Sequence, residues 1–114
     1  PHYQVPQETG STFEENAALK ACHAATHLNK WCLADDSGLV VPALNGAPGV
    51  FSSCYAGPDA TDRDNRLKLL KEMRAFEEEK RAAFFECCLV LSSPTGTTHV
   101  FKGICEGMIK EEER

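Results

Sequence analysis

Residues 12–28 carry the pattern that most restricts what this chain can fold into. Thr12 followed by Glu15 predicts a capping box, in which both side chains accept hydrogen bonds from N–H groups at the start of a helix. We expect the helix to run from Phe13 to about Leu28, with an alanine-rich face that packs closely against a β-sheet. That face is predicted to hold Phe13, Ala17, Ala21, Ala24 and Leu28, and the polar face Asn16, Lys20, His23 and His27.

Two short extended segments are predicted after this helix. Residues 31–34 form a continuous apolar run, which is typical of a strand buried on both faces. Residues 39–41 predict a second short strand that Pro42 ends, and Asn45-Gly46 predicts a turn. Strands of this kind belong in a sheet that other layers cover.

The second half of the chain again places a helix before strands. A helix is expected over residues 62–76, because acidic residues fill its first turn and leucines recur at helical spacing. The charged residues 77–81 connect it to a strand over 82–92, and a turn at 94–96 leads to a partner strand over 97–109. The order helix, strand, strand, helix, hairpin indicates an α/β or α+β domain built on a mixed sheet.

Charge and apolar content exclude several functional classes. The chain has 114 residues and a net charge of −5, and it lacks the basic stripe with which proteins bind nucleic acids. No apolar run is long enough for a membrane span, and no leader is recognised. The six cysteines contain no Cys-x-x-Cys pair, which favours reduced thiols in a cytoplasmic protein.

The adjacent carboxylates Asp35 and Asp36 are the clearest sign of chemistry. They follow an apolar run, and α/β folds place ligand sites at the carboxyl ends of such strands. Neighbouring strand residues point to opposite sides, so one acid is expected to face a cleft while the other supports it or holds a second ion. Ser37 and Gly38 suit a close approach to phosphate. A solvated turn is the alternative interpretation.

Other candidate residues are weaker by themselves. Glu8 could contribute to a magnesium site, or it could be a favourable charge ahead of a helix. Lys20 could contact phosphate or be a solvated lysine. His23 and His27 have a spacing that can hold zinc, although exposed helix residues explain them better. A serine hydrolase is disfavoured because Ser37 lacks the Gly-x-Ser-x-Gly elbow, and a catalytic cysteine because Cys87-Cys88 lie mid-strand.

Taken in order along the chain, these segments resemble the inosine triphosphate pyrophosphatase family. The resemblance covers nearly the whole chain, and it also extends through the Lys68-Leu69-Leu70 segment and the final hairpin. Phe51 and Cys54 stand where many members carry Tyr and Arg. The segments that carry the resemblance most specifically are Glu8-Thr9-Gly10, Thr12-Phe13-Glu14-Glu15-Asn16-Ala17, Ala34-Asp35-Asp36-Ser37-Gly38-Leu39, Ala43-Leu44-Asn45-Gly46-Ala47-Pro48-Gly49-Val50 and Tyr55-Ala56-Gly57.

The resemblance implies a fold and an activity. The family has an α/β fold of two lobes around a long mixed β-sheet flanked by helices, of which residues 1–114 would be the central part of a single, incomplete domain. Its phosphate loop would precede Pro1 and its base-reading segments would follow Arg114. Members hydrolyse non-standard purine nucleoside triphosphates (ITP, dITP, XTP) to the monophosphate and pyrophosphate with Mg²⁺, generally as homodimers.

The resemblance also implies roles for individual residues. Asp36 would be the general base that activates water. Glu8 and Asp36 would bind Mg²⁺ with Asp35 in support, while Ser37 and Lys20 would contact the substrate. The alternatives are a Maf-type nucleotide pyrophosphatase, which favours other nucleotides, and a non-catalytic nucleotide-binding or dimerisation module.

Overall fold

A computed structural model describes residues 9–111 as two long helices and a three-stranded sheet. Helix α1 spans Phe13–Leu28 and helix α2 spans Asp62–Met73, and the strands are β1 (Cys32–Val40), β2 (Ala82–Ser92) and β3 (Thr98–Met108). The strands are antiparallel in the order β1-β2-β3. Short 3₁₀ turns lie at Pro42–Leu44, Gly49–Cys54 and Glu78–Lys80. The α/β class expected from the sequence is confirmed, although the described strands are antiparallel and not mixed.

Capping residues mark the start and the end of helix α1. Thr12 Oγ1 accepts from Glu15 N at 3.0 Å, so Thr12 caps the helix as predicted. Glu15 Oε2 accepts from Ser11 N at 2.7 Å, one residue before the Thr12 N–H that the predicted capping box would use. The helix ends where Asn29 takes a left-handed conformation with φ 53°. Its bounds therefore agree with those predicted from the sequence.

The described residues form two compact units, residues 9–37 with 87–103 and residues 38–86 with 104–111. In the first unit, α1 packs on one face of the sheet, where Ser92 Oγ lies 3.3 Å from Cys22 Sγ. The buried face of α1 differs from the predicted one, because Leu28 is 47% exposed. The buried helix residues are Phe13, Asn16, Ala17, Ala21 and Ala25.

The sheet face away from α1 is apolar and uncovered within the described residues of the first unit. The hairpin bonds from Ser93 N to Thr97 O and from Ile109 N to Arg81 O fix a register in which Leu89 lies opposite Phe101. The predicted burial of residues 31–34 on both faces is wrong, since Trp31 is 55% exposed and its ring stacks on His99. The large exposed side chains of this face are Trp31, Leu33, Leu89 and Phe101.

The prediction of two short strands around the acidic pair is also wrong. Strand β1 continues without interruption through Asp35, Asp36, Ser37 and Gly38. Extended pairing with β2 outweighs the weak strand propensity of these residues, as tertiary context often does. The acids therefore lie within a strand and not beyond its end.

In the second unit, the core forms around Val41, Met73 and Ala83. Helix α2 ends at Met73, three residues before the predicted end, and the carbonyls of Met73 and Phe76 both accept from Arg81 Nη1. Arg81 also donates to the carbonyls of Ile109 and Lys110, and its side chain is buried. The charged connector predicted from the sequence thus contains a buried arginine.

Two further observations concern the cysteines and the helices. All six cysteines are free thiols. Within residues 9–111, no helix combines the length and the apolar character needed to cross a bilayer.

Candidate functional site

The side chain of Asp36 lies on the α1 face of the sheet and meets a buried asparagine of the helix. Asn16 Nδ2 donates to Asp36 Oδ2 at 3.3 Å, and Asn16 is only 2% exposed. Asn16 was predicted to lie on the polar face of α1, and that prediction is wrong. The carboxylate and the amide hold each other in place at a half-buried position.

The other end of the same amide holds the segment that enters α1. Asn16 Oδ1 accepts from Gly10 N at 2.7 Å. A Cβ atom at Gly10 would lie 2.8 Å from that oxygen and 2.7 Å from Glu15 Cβ, so only glycine fits this close approach. Asn16 therefore joins the segment before α1 to the carboxylate on β1.

Asp35 and Ser37 are the neighbours of Asp36 in strand β1. Side chains of consecutive strand residues point to opposite faces, so Asp35 and Ser37 lie on the face away from α1. Asp35 is exposed and Ser37 is half-buried. Asp35 and Asp36 therefore lie on opposite faces of the sheet, as expected. Their roles toward a metal stay predictions.

Lys20 lies one helical turn after Asn16 on α1 and is half-buried. Its position on the same helix face as Asn16 brings a cationic side chain to the side of the helix that faces Asp36. Glu8 lies outside the described residues, so its predicted metal role is not addressed by the structure.

Metal binding by this part of the chain would depend on few protein ligands. Residues 9–111 contain no group of three or more His, Cys, Asp or Glu side chains that could hold an ion. Mg²⁺ needs no such cage, because it usually binds through one or two carboxylates, several waters and substrate phosphates. A single carboxylate such as Asp36, held by an amide, fits that donor set.

The two helix histidines lie against each other. The rings of His23 and His27 are stacked, with centroids 6.3 Å apart and planes within 4°. Both residues are exposed, as expected of helix residues that face solvent.

The second unit contains a cavity of about 280 Å³ beside the loop that follows β1. Two of its polar side chains, Ser52 and Asn65, hold that loop. Ser52 Oγ accepts from Leu39 N at 2.9 Å and donates to Gly49 O at 2.7 Å. Asn65 Oδ1 accepts from Ala56 N and Asn65 Nδ2 donates to Ser53 O. The lining residues are Leu39, Pro48, Ser52, Tyr55, Asp62, Asn65, Arg66 and Leu69.

A cluster around Tyr55 completes the attachment of this loop to α2. Lys68 Nζ donates to Tyr55 O at 2.9 Å and lies 4.3 Å from the centre of the Tyr55 ring. The Tyr55 hydroxyl donates to Glu72, and burial, followed by that hydrogen bond, raises the pKa of Tyr55 to about 12. These contacts attach the loop to α2.

Sequence reasoning missed Asn16 and Asn65 as residues that organise the structure. Asparagine is a poor residue for a helix interior because its side chain competes for backbone hydrogen bonds. An asparagine inside each predicted helix was therefore the available signal that a buried amide has a specific partner. Which partner it has depends on the fold, not on spacing along the chain.

Comparison with known proteins places these residues in a family. A family model described as the Ham1 family matches residues 1–114. A dITP/XTP pyrophosphatase of Protochlamydia amoebophila (strain UWE25) is 58% identical over 115 residues, which cover 100% of this chain and 58% of that relative. The dITP/XTP pyrophosphatase of Chlamydia abortus (strain DSM 27085 / S26/3) is 53% identical, with 100% of this chain and 56% of that relative covered.

A solved structure gives the same result for the fold. The structure of a HAM1 protein from Coxiella burnetii matches with a TM-score of 0.92 at 45% sequence identity, over 97% of this chain and 57% of that one. The chain thus spans less than two thirds of the length of these relatives.

Proposed function

The chain belongs to the Ham1 family, and from this we propose that it is the central part of a nucleoside triphosphate pyrophosphatase domain. The reaction we propose is hydrolysis of non-standard purine nucleoside triphosphates (ITP, dITP, XTP) to the monophosphate and pyrophosphate. Relatives that are named dITP/XTP pyrophosphatase and are up to 58% identical support this substrate class. Residues 1–114 would form one incomplete domain, since the relatives are longer.

Asp36 is the residue that we propose as general base. The observation that carries the proposal is the contact of its carboxylate with the buried Asn16 amide, which fixes the carboxylate on the α1 face. A carboxylate held in this way can accept a proton from a water molecule that attacks the phosphate chain. Lys20, on the same side of α1, would attract the triphosphate, and Ser37 would add a substrate contact.

We propose Mg²⁺ as the divalent cation, with Asp36 and Glu8 as ligands and Asp35 in a supporting position. When bound, the ion would neutralise phosphate charge that acidic residues would otherwise repel. The half-buried Asp36 carboxylate is compatible with an ion that keeps most of its ligands as water and phosphate oxygens. The protein's own part is to hold the carboxylate and to receive the proton.

The assembly and location of the protein also stay proposals. A homodimer is implied by the family resemblance, and light scattering of the full-length gene product would measure it. The cytoplasmic location and the absence of nucleic-acid binding rest on the cysteine pattern and the charge of −5.

The test is pyrophosphate release by the full-length gene product from ITP, dITP, XTP and dTTP, with and without Mg²⁺. We expect release from the purine substrates only with the cation, and a loss of at least about 100-fold in Asp36→Asn. A wild-type protein that is inactive on every purine substrate, or an Asp36→Asn variant of unchanged rate, would show the proposal to be wrong. Preference for dTTP would favour a Maf-type enzyme, and binding without turnover a non-catalytic module.

A further inference from the structure

We infer that Asn16 is a positioning residue, which sets the orientation of the Asp36 carboxylate and thereby the rate of the proposed reaction. This inference rests on the proposed function and adds a residue to it. Asn16 need not touch substrate; it acts through the two hydrogen bonds of its side-chain amide.

The side-chain amide of Asn16 has only one hydrogen-bonding arrangement. Gly10 N–H is a donor, so the atom that faces it at 2.7 Å must be the amide oxygen. The amide nitrogen is then turned toward Asp36 Oδ2 at 3.3 Å, and a nitrogen that donates is what a carboxylate requires. Because the side chain is 2% exposed, water cannot readily replace either partner.

The backbone around Asn16 is held at several points. Its own N–H donates to Thr12 O at 3.1 Å, one residue after the capping contact between Glu15 N and Thr12 Oγ1. Gly10 cannot carry a side chain without striking the Asn16 oxygen. The amide is therefore fixed from the helix and from the segment before it, and it transmits that rigidity to β1.

The contact with Asn16 fixes the orientation of the carboxylate, and a general base depends on that orientation. A carboxylate accepts a proton efficiently only when a lone pair is directed at the water, and small displacements of reacting groups cost large factors in rate. Hydrogen bonds from neighbouring groups to such carboxylates typically contribute factors of about 10 to 100. Loss of the Asn16 amide should therefore lower kcat more than it raises KM.

The chain supplies a matched control in Asn65. This side chain is also buried in a helix, at 9% exposure, and also makes one bond from its nitrogen and one to its oxygen. Both partners of Asn65 are backbone atoms of the loop at Ser53 and Ala56, not a carboxylate. Asn65→Ala therefore removes the same chemistry from the fold without touching Asp36.

The kinetic experiment compares Asn16→Ala, Asn65→Ala and the wild type in the full-length protein with Mg²⁺ and ITP. We expect kcat to fall about 10- to 100-fold in Asn16→Ala with KM changed by less than about threefold. Asn65→Ala should lower the urea midpoint as well but keep kcat within about threefold of the wild type. Equal losses of kcat in both variants, in proportion to their losses of stability, would overturn the inference.

A second variant covers the case in which Asn16→Ala does not fold. Gly10→Ala keeps both the Asn16 and the Asp36 side chains, but its added Cβ would lie 2.8 Å from the Asn16 amide oxygen and so displace that oxygen. We expect its kcat to fall in the same direction as in Asn16→Ala, again with little change in KM. An unchanged kcat in a folded Gly10→Ala protein would count against the inference.

A third measurement separates this inference from the proposed function. In NMR spectra, Asp36→Ala should shift the side-chain NH₂ resonances of Asn16 and leave those of Asn65 in place, whether or not the protein hydrolyses a nucleotide. If the Asn16 resonances do not move, the positioning role is wrong even for an active enzyme. If they move and wild-type activity is absent, the proposed function is wrong and the contact remains.

Discussion

At the scale of single residues, buried polar side chains decide the local structure. Asn16, Asn65 and Arg81 are all buried. Each forms side-chain hydrogen bonds with groups that are distant from it in sequence. Among the described residues, no buried side-chain nitrogen or oxygen lacks a hydrogen-bond partner. Substituting one of these residues should therefore cost more than its own bond, because the partner is left unsatisfied.

Arg81 offers a test of that principle. Arg81→Met keeps a long side chain but leaves four carbonyls, including Met73 O and Phe76 O, without their donor. We expect a loss of about 3 kcal/mol or more in the free energy of unfolding, measured by urea titration. The free energy of unfolding of Arg81→Lys should lie between those of the wild type and Arg81→Met, because one ammonium group cannot reproduce the planar donor set of a guanidinium.

The control for Arg81 is Arg74→Met, which removes an exposed arginine at the end of α2. Its loss should stay within about 0.5 kcal/mol. If Arg81→Met and Arg74→Met lost the same free energy of unfolding, the hydrogen bonds from Arg81 to the four carbonyls would not stabilise the fold.

At the scale of elements, a threonine caps the start of each long helix, and at α2 the capping box is complete. At α2, Thr61 Oγ1 accepts from Asp64 N at 3.1 Å and Asp64 Oδ2 accepts from Thr61 N at 2.9 Å. The hydrogen bond that the carboxylate accepts from Thr61 N, and after it the Thr61 side chain, hold the pKa of Asp64 below its ordinary value of 3.8. A lowered pKa means that the folded state favours the charged carboxylate.

The capping box therefore predicts a pH-dependent effect. Because the folded pKa of Asp64 is lowered, its contribution to stability is present above pH 3.8 and is lost as the pH falls through the lowered value. Asp64→Asn should reduce the urea midpoint at pH 7, and the difference from wild type should narrow at pH 3. Asp59→Asn, which removes an exposed carboxylate in the turn before the helix, is the control for the loss of a charge as such. A difference of constant size across this range would contradict the role of the charge.

At the scale of the whole molecule, one face of the sheet is left open in the first unit. Helix α1 covers the side that carries Asp36, while Leu33 and Phe101 on the other side are 61% and 57% exposed. Apolar strand faces of this size are normally covered in α/β proteins. The chain also spans only 58% of the length of its relative from Protochlamydia.

The single tryptophan of the chain reports on this open face. Trp31 is 55% exposed, so its fluorescence in the 114-residue chain should be quenched readily by acrylamide and should have an emission maximum shifted toward that of tryptophan in water. Quenching should be independent of protein concentration. Protection that disappears on dilution would instead show that copies of the chain cover this face.

Much of the architecture followed from local signals in the sequence. The bounds of α1 and β2 and the turn between β2 and β3 were predicted from a capping pair, a strand-forming run and a Pro-Thr-Gly turn, because each depends on residues close together in the chain. The acidic pair was predicted to be a functional site from residue type and order. What the structure adds to the site is the helix residue that holds Asp36.

Only the tertiary structure decided the rest, because the relevant forces act between residues distant in sequence. Pairing with β2 made β1 continuous through Asp35 and Asp36, against the local preference for a turn. Packing on the sheet turned Asn16 inward and left Leu28 and Trp31 exposed. The sequence by itself determined where helices begin and which residues carry charge; the fold determined which polar groups meet, since burial and partner geometry exist only once the chain has closed.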